Sequence, residues 1–193
     1  MAGTLIINDE IVDYEAGERI LTVARRNAAH IGFVCNGQAI CQTCRTRILE
    51  GSEHVSAPNA AERSLIPAPR LALGYRLACQ ATLTGPGPVS TMTRAEELRR
   101  QALAVATPPP GTTAGRSLGL LLNNIATNAR DSAMLFPSNL QAIASRAVRL
   151  RVTPEGVKQM VQDARRVTNR MIKGKAGSDP HDNGQPDDEF SEM

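Results

Sequence analysis

Two short β-prone runs, residues 4–8 and 11–14, flank the polar triplet Asn8-Asp9-Glu10, and this pattern predicts a β-hairpin. Gly17 closes that strand region. From Arg19 to Ala29 the positions of Ile20, Leu21, Val23, Ala24 and Ala28 predict a helix laid across the sheet. Further strands are predicted at residues 45–50, ending at Gly51, at 75–83, where Leu77, Cys79 and Ala81 alternate with Arg76, Ala78 and Gln80, and at 89–92. Thr93-Arg94-Ala95-Glu96 has the spacing of a capping box, in which the Thr hydroxyl and the Glu carboxylate each satisfy an unpaired backbone N–H. It predicts a helix from Ala95 to about Ala104.

The run Thr107-Pro108-Pro109-Pro110-Gly111-Thr112-Thr113 cannot continue a helix and reads as a semi-rigid linker. Beyond it the period is helical. Leu118, Leu121, Leu122, Ile125 and Ala129 share one face, Leu140, Ile143, Ala144, Ala147 and Val148 repeat the arrangement, and Val157, Met160, Val161, Ala164, Thr168 and Met171 form a third stripe behind the N-cap pair Thr153-Pro154. Gly174 is a stop, and the remainder to Met193 is polar and acidic, with the composition of a disordered tail. The expected organisation is therefore an α+β domain over residues 1–104, a linker over 105–115, a short amphipathic helical region over 116–174 and an acidic tail over 175–193.

Charge sharpens this division. Residues 1–100 carry 11 Arg against 10 Asp/Glu, residues 101–175 carry 11 Lys/Arg against 3 acids, and residues 176–193 carry 6 acids and no base. Basic amphipathic helices can lie on an anionic lipid surface, or pack their apolar faces into a bundle or against a partner; both arrangements stay open. Aromatics are only 3 % with no Trp, which disfavours a base-stacking platform, and no DNA or RNA module is visible, so nucleic acid is not expected. No apolar run approaches the roughly 20 residues of a membrane span. Met1-Ala2-Gly3-Thr4 starts no secretory signal, so an intracellular setting is expected.

In such a setting thiols stay reduced, and four cysteines suit a metal better than two disulfides. Cys35, Cys41 and Cys44 give C-x5-C-x2-C, and Cys79 follows 35 residues later. A [2Fe-2S] cluster needs two thiolates per iron, and a loop with a distant fourth ligand can supply them. Gly37 can take the positive φ that turns backbone N–H groups toward cluster sulfur. Arg45 and Arg47 are the nearest cations for tuning the charge of such a site, although both read first as solvent-facing strand residues. Zinc is the rival, yet structural zinc usually uses two C-x2-C knuckles and only one is present; a Cys41/Cys44 redox pair would leave Cys35 and Cys79 without purpose. His30, His54 and His181 do not read as ligands, and His30 falls at a helix end. No nucleotide or flavin fingerprint, Ser/His/Asp set or P-loop is present. The expectation is an electron carrier rather than an enzyme, fed by a redox partner.

The stretch from Leu5 to roughly Thr82 resembles adrenodoxin-type ferredoxins, which implies a β-grasp ferredoxin-like domain with Cys35, Cys41, Cys44 and Cys79 holding a [2Fe-2S] cluster. The segments Ala28–Cys35, Ile40–Gln42, Ile48–Gly51, Gly74–Gln80 and Thr93–Arg100 further resemble the ferredoxin-domain chlorosome envelope proteins of green sulfur bacteria. That resemblance implies a peripheral place at the chlorosome envelope, with envelope proteins and lipid met through residues 116–174, and a part in setting the redox state of quinones that quench the antenna. The competing expectations are a soluble cytoplasmic ferredoxin feeding an oxygenase or reductase, and a structural protein whose metal cluster staples the fold.

Overall fold

The computed structural model describes residues 2–134, with 158, 161–162 and 165–169. The expectations for residues 140–157 and for the tail therefore lie outside the described residues. Five strands, β1 (Ala2–Ile7), β2 (Glu10–Glu15), β3 (Arg45–Glu50), β4 (Tyr75–Leu77) and β5 (Val89–Thr93), form one mixed sheet in the order β2-β1-β5-β3-β4. The hairpin β1–β2 closes on Asn8 and Asp9, with φ of 54° and 70°. Consecutive left-handed residues define a type I′ turn, and Asn and Asp tolerate them best among residues with a Cβ. The long-range pairing of β1 with β5 is parallel, whereas β3 runs antiparallel to both β5 and β4.

The period-two alternation of these strands buries Leu5, Ile7, Thr46, Ile48, Val89, Thr91 and Thr93 on one face. The helix α1 (Ile20–Arg26) covers that face with Ile20, Leu21, Val23 and Ala24, all buried. Tyr14 is also buried, and its hydroxyl lies within hydrogen-bond distance of the carbonyls of Gly85 and Gly87, which binds the outer hairpin to the loop before β5. Short helices fill the crossover between β3 and β4: a 3-10 turn (Ser52–His54), α2 (Ala60–Leu65) and α3 (Ala68–Ala72). Gly74 ends this crossover at φ 83°, where a Cβ would stand 2.5 Å from the carbonyl oxygen of Ile48, so only glycine fits.

Two expectations are corrected. The strand predicted at 75–83 stops at Leu77, because the N–H groups of Gln80 and Ala81 both return to Leu77 O; Cys79 sits in the turn so formed. The capping box at Thr93 is only half made. The Thr93 hydroxyl accepts from Glu96 N–H at 3.2 Å, but Thr93 N–H donates to Asn8 Oδ1 at 2.9 Å, and the Glu96 carboxylate is engaged with Arg99, Arg100 and His30. The resulting α4 runs from Arg94 to Ala106.

The helix α5 (Ala114–Met134) follows α4 and packs against it. Its apolar stripe faces outward, with Leu118 at 43 %, Leu122 at 55 % and Ile125 at 49 % exposure, while Ser117 and Asp131 are buried. The docked face is polar. Asn124 Nδ2 donates to Gln101 Oε1 at 2.9 Å, Asn128 accepts from Arg45, and Asp131 accepts from Arg70 Nε at 2.7 Å. The physical reason lies beneath the helix. The outer side of the sheet presents Arg45, with Arg70 from α3 beside it, and buried guanidinium groups require acceptors rather than leucines.

Candidate metal centre

The loop of residues 33–44 leaves the region after α1 and returns directly into β3, so Cys44 is fixed by the strand that begins at Arg45. Within the loop Asn36, Gly37, Ala39 and Gln42 all have positive φ, at 48°, 84°, 53° and 55°. Left-handed residues placed among right-handed ones turn successive N–H groups to the same side, forming a concave anion-binding nest. The donors are aimed at sulfur. Backbone groups of Gln38, Ile40 and Cys41 hydrogen-bond Cys35, that of Ala39 reaches Cys79, and that of Thr43 reaches Cys41.

The four thiols are free, and they act on one another in two pairs: Cys41 is the largest influence on Cys35, and Cys79 the largest on Cys44. Cys41 pulls Cys35 down to about 5, burial opposes this, and the loop N–H groups add to it. Cys41 is correspondingly raised, by Cys35 and then by burial. In the second pair Cys44 holds Cys79 below the usual thiol range while Cys44 itself is pushed up. Thiolates are the ligands metals require, so loading the site would release the protons that these pairs share.

The pairs differ in depth. Cys44 and Cys79 are buried, whereas Cys35 and Cys41 are half-buried at the rim. Among the described residues no three His, Cys, Asp or Glu side chains gather as one metal ion would need. Two thiol pairs beside a nest of N–H donors match a two-iron cluster, with two thiolates per iron and inward donors for its negative charge.

Further side chains hold this arrangement. Gln80 Nε2 lies 3.6 Å from Cys79 Sγ and 3.1 Å from Gly37 O, and its Oε1 accepts from Asn59 Nδ2 at 3.0 Å, so it ties the fourth cysteine to both the loop and α2. Thr43 Oγ1 is 2.9 Å from Cys41 Sγ and accepts from Val34 N–H at 3.1 Å. Sequence reasoning gave neither residue a role at the centre. Their adjacency to cysteines was the available signal, but a polar residue beside a cysteine acquires this role only once the loop closes.

His30 anchors the approach to the loop. Its Nδ1 is 3.1 Å from Glu96 Oε2, and its carbonyl accepts from the Thr93 hydroxyl at 2.5 Å. Arg45 departs from the solvent-facing expectation. It is only 5 % exposed, and burial, with Arg94 nearby, lowers its pKa to about 10. Arg47 is exposed, as expected for an outward strand residue.

The comparisons agree with this geometry. The pattern of the 2Fe-2S iron-sulfur cluster binding domain matches residues 5–84. The chain is 32 % identical to 2Fe-2S ferredoxin-5 of Aquifex aeolicus over 84 residues, which is 43 % of this chain and 86 % of that one. It belongs to the 2Fe-2S ferredoxin family. More particularly, it is a homologue of two chlorosome proteins of Chlorobaculum tepidum: it is 35 % identical to chlorosome protein J over 150 residues, 78 % of this chain, and 37 % identical to chlorosome protein I over 100 residues, 52 % of this chain. The matches span 62 % and 41 % of the lengths of those two relatives. Among the described residues no helix is long and apolar enough to cross a membrane.

Proposed function

We propose that the chain is a one-electron carrier in which Cys35 and Cys41 ligate one iron, and Cys44 and Cys79 the other, of a [2Fe-2S] cluster. The observation that carries this reading is the pairing of the four thiols around a nest of backbone donors. When bound, the cluster supplies a centre that gains or loses a single electron without bond-making in a substrate. The protein's part is to hold the thiolates, direct the N–H groups of Gln38, Ala39 and Ile40 at sulfur, and keep Cys44 and Cys79 from water.

The proposed setting is the chlorosome envelope. Homology to chlorosome proteins J and I supports it, as does the outward apolar stripe of Leu118, Leu122 and Ile125, which suits an envelope surface. There the carrier would exchange electrons with a redox protein or with quinones, and so control the redox state of antenna quenchers.

Anaerobic purification with iron, sulfide and zinc analysis, followed by EPR of the dithionite-reduced protein, tests the carrier. Two irons, two sulfides and a reduced [2Fe-2S] signal are expected, and zinc without sulfide under iron-replete anaerobic expression would overturn it. Cys79→Ser is expected to lose the cluster absorption. Retention of an unchanged spectrum and stability would remove Cys79 from the ligand set.

A further inference from the structure

The two stretches that build the metal centre, residues 19–49 and 63–95, contain all four cysteines, nine arginines and not one Asp or Glu. Two of these arginines are paired from outside, Arg26 with Glu18 and Arg76 with Glu62. Others converge on the outer side of β3 and β4. The guanidinium carbons of Arg45, Arg47 and Arg70 lie 5.7, 5.7 and 5.3 Å from the centre of the Tyr75 ring, and Arg94 is close enough to act electrostatically on Arg45.

Against these four cations the structure sets two carboxylates: Asp131 of α5 on Arg70, and Glu97 near Arg94. Among the described residues Arg45, Arg47 and Arg94 make no ion pair. Arg45 is nine-tenths buried, and its Nε has no hydrogen-bond partner. Arg47 is exposed and is held by a bond from its Nε to Leu73 O at 3.3 Å. Leu73 is 53 % exposed, and Tyr75 is half-buried on the edge strand. An apolar centre ringed by cations is thus presented on the open edge of the sheet.

This surface adjoins the metal centre. Strand β3 starts immediately after Cys44, and β4 ends two residues before Cys79; the Arg47–Tyr75 pair lies two residues, or roughly 7 Å, along the strands from the Arg45–Leu77 pair at that end. Asp131 already shows the chemistry such a surface accepts, a carboxylate brought to a guanidinium at 2.7 Å. Complementary charge speeds encounter and selects orientation.

We infer that the outer face of β3–β4, with Arg47 and Arg94 beside Tyr75 and Leu73, docks a one-electron redox protein through an acidic face of that partner, an inference that rests on the electron-carrier reading. One electron crosses at this contact. No bond forms or breaks, and the partner's centre is oxidised as this chain's is reduced, or the reverse.

The test uses the full chain, with poly-L-glutamate as an acidic probe in low-salt calorimetry. The double variant Arg47→Gln/Arg94→Gln is expected to bind about tenfold more weakly. Arg116→Gln, whose site on α5 lies about 18 Å along the helix from Asn128, should bind as the unaltered chain does. In stopped flow, oxidation of the reduced chain by ferricyanide is expected to slow about tenfold in the double variant, while oxidation by hexaamminecobalt(III) does not slow. Equal effects on both oxidants, or an equal loss of poly-L-glutamate binding in Arg116→Gln, would overturn the assignment. So would weaker binding of the double variant to phosphatidylglycerol vesicles with poly-L-glutamate binding unchanged, which would make this a lipid surface. Calorimetry requires no electron transfer, so a zinc-loaded chain would defeat the carrier reading while the docking surface is still measured.

Discussion

Glu62 illustrates how a single side chain is tied to the centre at a distance. Its carboxylate accepts four hydrogen bonds: two from Arg76, at 2.8 Å each, one from Leu77 N–H at 3.0 Å and one from Asn59 N–H at 3.1 Å. Arg76 completes its own set on Ser56 O at 2.6 Å. Both residues are buried, so each charge depends on the other for the solvation it has lost. Glu62→Ala leaves the guanidinium buried with one carbonyl acceptor, and the expected cost is about 3–5 kcal/mol, read as a lower denaturant midpoint with earlier loss of cluster absorption. A loss below about 1 kcal/mol, the range of exposed pairs, would show that the pair is not structural. The cysteines were legible because their spacing is chemical information carried by the chain itself. The Glu62–Arg76 pair was not, because an acid and a base separated by a crossover meet only through the position of β4.

At the scale of elements, the start of α4 connects the outer hairpin, the metal loop and the helix. Thr93 caps the helix and bonds His30 O, while Arg100 reaches Asn8 O at 3.2 Å and Asp9 Oδ2 at 2.7 Å. Between them lies Glu96, which is 4 % exposed. Burial opposes its ionisation, but hydrogen bonds from Arg99, Arg100 and His30 prevail and hold its pKa at about 2. A carboxylate depressed in this way contributes stability above its unfolded pKa of about 4.3, and that contribution is lost as pH falls toward the folded value. Glu96→Gln is expected to cost about 2 kcal/mol near neutrality, with the gap to the unaltered chain constant above about pH 5 and narrowing toward pH 3. Acid loss of the cluster affects both chains and cancels in the difference between their midpoints, so a gap independent of pH would refute the assignment. The sequence announced this helix through Thr93 and Glu96, yet the partners of Glu96 follow from tertiary contacts. Residues 52–74 carried no prediction. There α2 is set by a full capping box between Asn59 and Glu62, whose N–H donates to Asn59 Oδ1 at 2.9 Å, and by packing of Leu65, neither of which shows a long period.

Over the whole molecule, α5 joins the chain's second half to its first by polar contacts. Replacing both Asn128 and Asp131 with Ala removes the acceptors of Arg45 and Arg70. Faster amide hydrogen exchange in α5, by about one to two orders of magnitude, is expected while β1 and β5 stay protected; unchanged protection would show that other contacts hold the helix. The sequence by itself determined the hairpin turn, the helix over the sheet, the cysteine set and the family, because each depends on local periodicity, backbone freedom or spacing along the chain. Only the tertiary structure decided the early end of β4 at Leu77, the burial of Arg45 and the face on which α5 docks. Those features depend on which groups must be satisfied away from water. A helical wheel ranks the faces of α5 by hydrophobicity, but the surface beneath it offered guanidinium groups, and the demand of buried charge for acceptors outweighed the gain from covering leucines.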